Sequence, residues 1–200
     1  MPGVRQSTPY LIHLHTLSYQ LALVNKMQDL ILTEEPTQHP DCCVALSRPL
    51  LDMLCSLLPP SPEFTLSIGS GSGLLESLIL RCSSQSVDVR GLEVSPSVNK
   101  YLDEPSFTTV PGTWAISDAA TYAAAWMFVY PREPKLFSSY LKSQVGNTLR
   151  LIVWLGPRSD WSDYQAILEH CDLHFELSEF DNSLNSGIAS YELLAVVKRL

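Results

Sequence analysis

The sequence predicts an α/β protein with a seven-stranded, mostly parallel sheet, helices on both faces and an antiparallel last strand. Three observations predict this fold. From Phe64 onward, short apolar runs alternate with stretches of helical period, which is the pattern of a parallel sheet covered on both sides. The first of these runs ends in a Gly-x-Gly-x-Gly turn from which a helical pattern departs. Finally, no helical stretch separates the last two strands, which only residues 181–190 connect, so they should pair as an antiparallel hairpin.

The elements follow in order. Thr8-Pro9 is a helix-start signal, and Leu14, Leu17, Leu21, Val24 and Ile31 behind it follow a helical period as far as Leu32. Glu34-Glu35-Pro36 stops that helix, and a polar loop is expected through Asp41. Ser47-Arg48-Pro49 starts a second helix with Leu50, Leu51, Leu54, Leu57 and Leu58 on its apolar face, and Pro59-Pro60 ends it. Residues 1–62 thus read as an N-terminal helical extension and residues 63–200 as the sheet domain, together one compact domain. Strands are expected at Phe64–Ile68, Val87–Val94, Phe107–Val110, Trp126–Tyr130, Leu149–Leu155, Phe175–Phe180 and Tyr191–Lys198. Helices are expected at Leu74–Cys82, from Ser95-Pro96 through Leu102, at Ala119–Ala123, at Pro134–Val145, and from Asp160 or Ser162 to about Cys171.

Bulk properties narrow the function. The 200 residues are 46% apolar and 17% charged, which suits a packed globular domain. Acidic residues outnumber basic ones 21 to 13, a net charge of -8, which argues against a nucleic-acid partner because duplex binding calls for a basic face. The N-terminus carries no secretory signal pattern, and no apolar run is long enough to span a membrane, so a cytoplasmic protein with no membrane contact is expected. Five cysteines without a C-x-x-C spacing suit neither a zinc site nor a disulfide framework, so no metal is expected and the compartment reads as reducing. The vicinal pair Cys42-Cys43 reads as two small apolar residues.

Chemistry concentrates in two motifs. Leu66-Ser67-Ile68-Gly69-Ser70-Gly71-Ser72-Gly73-Leu74-Leu75-Glu76 is a buried strand, a glycine turn and a helix start, where backbone N–H groups face a ligand and no Cβ blocks its approach. Val89-Arg90-Gly91-Leu92-Glu93-Val94-Ser95-Pro96 ends the second strand on an acid about 20 residues after the first glycine, the offset at which a carboxylate takes both hydroxyls of an adenosine ribose. Together these motifs resemble the first two motifs of the class I S-adenosylmethionine (SAM)-dependent methyltransferases, over roughly Phe64 to Leu200. The antiparallel last pair of strands is similar to the end of that family's Rossmann-like sheet. A nicotinamide-binding turn usually reads G-x-G-x-x-G; here the third glycine comes one residue early, at Gly73, which disfavours that reading.

The resemblance implies SAM as cofactor, with Gly69, Ser70, Gly71 and Gly73 lining its methionine and ribose portions, Glu93 on the ribose diol and Val94 on the adenine. The family often places an acid near the adenine amine, after the third strand. The matching stretch Gly112-Thr113-Trp114 lacks one, leaving Thr113 there and Asp118 either as the substitute acid or as a helix cap. The family's acid two residues before the first glycine is replaced by Ser67. On the acceptor side the candidates are Tyr130, Arg132 and Glu133 after the fourth strand, and Arg158, Asp160 and Trp161 after the fifth. His13 or His15 joins them if the first helix closes the pocket as a lid; the alternative burial for that helix's apolar stripe is a homodimer. Trp126 and Trp154 read as core. Methyl transfer to a small molecule is the leading functional expectation. A methyltransferase-like protein that does not transfer methyl, acting as a regulatory partner or as a cyclase or isomerase reusing the pocket, is the alternative.

Overall fold

A computed structural model describes residues 30–143, 148–171, 173–182 and 186–200. The chain divides into two units, Met1–Ile31 and Leu32–Leu200, and the second of them holds the sheet. The expected first helix, with its lid or dimer role and with His13 and His15, lies outside the described residues.

Seven strands form the main sheet: β3 (Phe64–Ile68), β4 (Asp88–Glu93), β5 (Phe107–Thr109), β6 (Ala125–Val129), β7 (Leu151–Pro157), β8 (Phe175–Phe180) and β9 (Glu192–Arg199). Their spatial order is β5-β4-β3-β6-β7-β9-β8. The pairs β5/β4, β4/β3, β3/β6 and β6/β7 are parallel, and β9 runs antiparallel between β7 and β8. The order reverses between β3 and β6, which opens a crevice at the carboxyl ends of those two strands, where ligands bind in sheets of this kind.

Alternation along β3 assigns its two faces. Phe64, Leu66 and Ile68 join a core with Trp126, Phe128 and Trp154 from the sheet, Phe137 and Tyr140 from α3 (Pro134–Lys142), and Trp161 and Tyr164 from α4 (Trp161–Glu169). The rings meet mostly edge to face, with Phe128 and Phe137 centroids 4.9 Å apart. Trp126 and Trp154 are core as expected; Trp161, an expected acceptor-side residue, is core as well, and its indole N–H donates to Glu179 at 2.7 Å. Ser67 points to the opposite face, toward α2 (Leu74–Cys82), which packs beside α1 (Arg48–Leu57).

Residues 37–46 differ from expectation. In place of a polar loop they form a hairpin of β1 (Thr37–His39) and β2 (Cys42–Leu46), with Val44, Ala45 and Leu46 buried. This hairpin and α1 belong to the same compact unit as the sheet, so the boundary falls at residue 31 rather than 62: Leu50, Leu51 and Leu54 of α1 are fully buried. The helix expected from Ser95 to Leu102 shortens to one 3-10 turn, Pro96–Val98. Its continuation loses to local competition, because the Asn99 side chain accepts from Leu102 N–H while Lys100 and Tyr101 N–H donate to the Ser72 carbonyl. Another 3-10 turn, Asp118–Thr121, replaces the helix expected at Ala119–Ala123. All five cysteines are free thiols, and among the described residues no helix is long and apolar enough to cross a membrane.

Candidate functional site

The glycine turn leaves β3 with Gly69, Gly71 and Gly73 all in the left-handed region, at φ of +79°, +57° and +78°. A side chain at any of them would be strained, which is why glycine is required. Their surroundings differ. Among the described residues, a Cβ on Gly69 or Gly71 would meet nothing within 4 Å, whereas one on Gly73 would sit 2.7 Å from Leu102 Cγ and 3.1 Å from Asn99 Oδ1. The space over Gly69 and Gly71 is therefore an open cradle, and Gly73 instead admits the Asn99–Leu102 segment against the start of α2. Ser70 Oγ is buried without a partner among the described residues and lies under Gly91, where a Cβ would approach it to 2.6 Å.

Glu93 reaches across from the end of β4. Its Oε1 accepts from Gly71 N–H at 2.8 Å and its Oε2 from Val94 N–H at 3.0 Å, so the carboxylate is held beside the cradle. Val94 is 44% exposed on the same strand end. Beyond β5, Thr113, Trp114 and Ile116 form an exposed stretch. The cap of the following 3-10 turn is Ser117, whose Oγ accepts from Ala119 N–H, so Asp118 is exposed in the first turn and does not cap it.

Beneath the turn sits a group that the sequence does not advertise. Ser67 is fully buried, and its hydroxyl donates to Glu76 Oε1 at 2.6 Å. Glu76 is only 1% exposed, and its Oε2 has no hydrogen-bond partner among the described residues. Burial, first, and the nearby Glu93 carboxylate push its pKa up to about 7, against the lowering effect of the Ser67 hydrogen bond.

A second buried carboxylate stands at the start of β9. Glu192 accepts from Tyr130 Oη–H at 2.6 Å and from Ala45 N–H at 3.0 Å; its Oε2 is unpartnered among the described residues, and burial raises its pKa. Tyr130 follows β6 with φ +49°, a conformation that bulky residues rarely adopt and that tends to mark functional sites. Desolvation and the Glu192 carboxylate keep its hydroxyl protonated well above the usual tyrosine range. Cys42 lies close enough to feel both Glu76 and Glu192, and burial raises its thiol to about 12, which makes it an inert neighbour. Arg132 and Glu133 stand exposed in the loop beyond Tyr130, and Arg158 pairs with Asp181 at 3.2 Å on the surface.

The β1–β2 hairpin fixes this end of the molecule. The Asp41 carbonyl accepts from Ser72 Oγ at 2.5 Å, and its carboxylate takes Lys100 Nζ and Tyr101 Oη, tying the hairpin tip to the glycine turn. Tyr130→Phe should leave Glu192 short of its hydroxyl donor in a buried place and destabilise the fold by about 1–3 kcal/mol. Urea unfolding checks this, and an unchanged midpoint would mean that Tyr130 does not satisfy Glu192.

No protein-family model matches the chain, and no curated protein matches it. Solved structures do. A SAM-dependent methyltransferase from Aquifex aeolicus superposes with a TM-score of 0.56 at 10% identity, covering 76% of this chain and 89% of that one. The mitomycin 7-O-methyltransferase MmcR gives 0.51 at 13% identity, over 76% of this chain and 53% of its own. The small RNA methyltransferase HEN1 gives 0.51 at 13% identity, over 74% of this chain and 24% of its own. Likeness at such identities speaks to fold. The strand order, the reversal between β3 and β6 and these superpositions agree: the chain has the Rossmann-like fold of the class I SAM-dependent methyltransferases.

Proposed function

We propose that the protein binds SAM in the cradle over Gly69 and Gly71 and transfers its methyl group to a small-molecule acceptor. The observation that carries this reading is the open cradle with the Glu93 carboxylate fixed at Gly71, at the point where the strand order reverses. The donor set fits such a ligand. Glu93 offers acceptor oxygens for a ribose diol, exposed Val94 offers an apolar surface for adenine, Thr113 and Asp118 are exposed polar candidates for its amine, and the orphaned Glu76 oxygen suits a positively charged group.

SAM, when bound, supplies a methyl carbon activated by its sulfonium. The chain must then hold the acceptor in line at about 3 Å and exclude water. Tyr130 is placed for the acceptor side. Its hydroxyl is aimed by Glu192, and its oxygen can accept a proton from an incoming nucleophile while its own proton passes to Glu192. The raised pKa of Glu192 favours that proton acceptance. Arg132 and Glu133 flank this position from solvent.

A small acceptor is supported by charge. The net charge is -8, a balance that would repel a phosphate backbone. HEN1 acts on small RNA and MmcR on mitomycin, and the acidic balance here favours the second kind of acceptor.

Calorimetry with SAM tests the reading, with a dissociation constant of roughly micromolar order expected. Glu93→Ala should weaken binding by about 1.5–3 kcal/mol, the scale of hydrogen bonds to a charged group. A folded Glu93→Ala protein that binds SAM as tightly as the parent would sink the assignment.

A further inference from the structure

We infer that Glu76 is the seat of the ligand's α-ammonium group, and that binding a cationic ligand there expels a proton from the protein. The inference rests on the proposal that the cradle binds SAM, and it adds a residue and a pH dependence to it.

Glu76 lies in the first turn of the helix leaving the glycine cradle, 1% exposed, with one oxygen held by Ser67 Oγ and the other without a partner among the described residues. A buried carboxylate with an orphaned oxygen costs stability unless a donor or a cation meets it. None of the ion pairs among the described residues involves Glu76. The titratable groups facing it are Glu93 from the end of β4, which makes ionisation harder, and the Cys42 thiol from β2, which itself feels Glu192. Ser67 of β3 contributes only its hydroxyl. Among the described residues the site is thus short of positive charge, and the open side of the neighbouring turn is where a ligand arrives.

Ser67 also explains why the helix carries the acid. A carboxylate at 67 would sit on a fully buried strand, within hydrogen-bond distance of Glu76, and two buried carboxylates so close could not both ionise. The chain places one carboxylate on the helix and a neutral donor on the strand.

With its pKa near 7, Glu76 is largely protonated in mildly acidic solution, and an ammonium group selects the ionised form. The proton leaves the Glu76 carboxyl for the buffer as the ligand's ammonium takes its place, with no bond changed in the ligand. Affinity for such a ligand should rise with pH through this range, until the ligand's own ammonium begins to lose its proton.

The test is calorimetry of the full-length protein with SAM in two buffers of different ionisation enthalpy, at about pH 6 and about pH 7.5, below the range in which the ligand's own ammonium is mostly lost. Release of roughly half a proton or more at the lower pH and much less at the higher is expected. E76Q should abolish the release and weaken SAM roughly tenfold or more. It should leave 5′-methylthioadenosine, which lacks the amino-acid portion, bound as by the parent. Proton release that persists in E76Q, or equal weakening of both ligands, would overturn the role of Glu76 while leaving the cradle intact. A parent protein that binds SAM without proton release at either pH would also overturn it. Failure of the parent protein to bind either ligand would overturn the SAM reading itself, and this inference with it.

Discussion

Gly187→Ala is expected to destabilise the fold by about 3 kcal/mol or more, through three effects that meet at one atom. Gly187 sits at φ +68° in the connection before β9, so any side chain there is strained, by about 1–2 kcal/mol. Its new Cβ would lie 2.1 Å from Ser47 Oγ and 3.0 Å from Leu50 N, inside contact distance of a helix start that cannot retreat. Ser47 is the N-cap of α1. It is fully buried, its hydroxyl donates to the Gly187 carbonyl at 2.7 Å, and the same oxygen accepts from Leu50 N–H at 3.1 Å. Displacing that hydroxyl forfeits the cap, worth about 1 kcal/mol. For a chain of this size the thermal midpoint should fall by roughly 6–12 °C. The double variant Ser47→Ala/Gly187→Ala separates the causes. Removing the hydroxyl relieves the closest contact, so the double variant should lose less than the sum of the single variants. Additive losses would place the strain in the Gly187 backbone alone. A loss below about 1 kcal/mol in the single variant would contradict the packing of α1 against this connection.

The elements legible in the sequence are those with chemical punctuation at both ends. The strand Phe64–Ile68 and the helix Leu74–Cys82 have the expected bounds because Pro62 and Gly69 bracket the strand, Gly73 starts the helix, and the polar run Ser83-Ser84-Gln85-Ser86 ends it. The strand Phe175–Phe180 also falls where its apolar period places it. The β1–β2 hairpin was not legible. Three mostly exposed residues, Thr37-Gln38-His39, gain strand geometry only by pairing with the run Cys42–Leu46, whose burial depends on elements far along the chain.

The site divides in the same way. The glycine turn and Glu93 lie in one local pattern with a fixed offset, so they could be read. Tyr130 could be named as a strand-end residue, but its partner Glu192 is 62 positions away on an element whose pattern says only "strand". Glu76 stood in plain view inside the glycine motif. An acid in the first turn of a helix is favourable on any exposed helix, so nothing local distinguishes a buried one. Burial is a tertiary property, and only the packing of β3, α2 and β2 makes that carboxylate unusual.

Glu76 should make folding stability fall as pH rises from about 5 to 7.5, by about 3 kcal/mol from this group alone. In the unfolded chain its carboxyl titrates at the ordinary value of 4.5, and in the folded chain at about 7. Between those values the unfolded state has released a proton that the folded state still holds, so each step upward in pH favours unfolding. The contribution is fully present below the unfolded value and gone once the pH has passed the folded one. Glu192, also raised by burial, works in the same direction and steepens the fall. Glu76→Gln removes the titration while keeping the shape and an oxygen for the Ser67 hydroxyl. Its stability should match that of the parent near pH 5 and exceed it by about 3 kcal/mol near pH 8, leaving a shallower slope that belongs to Glu192. Denaturant unfolding across this pH range measures both curves. If the variant is no more stable than the parent at the alkaline end, the Glu76 carboxylate is paired or solvated when ionised, and the buried, unpartnered oxygen under the glycine turn is not there.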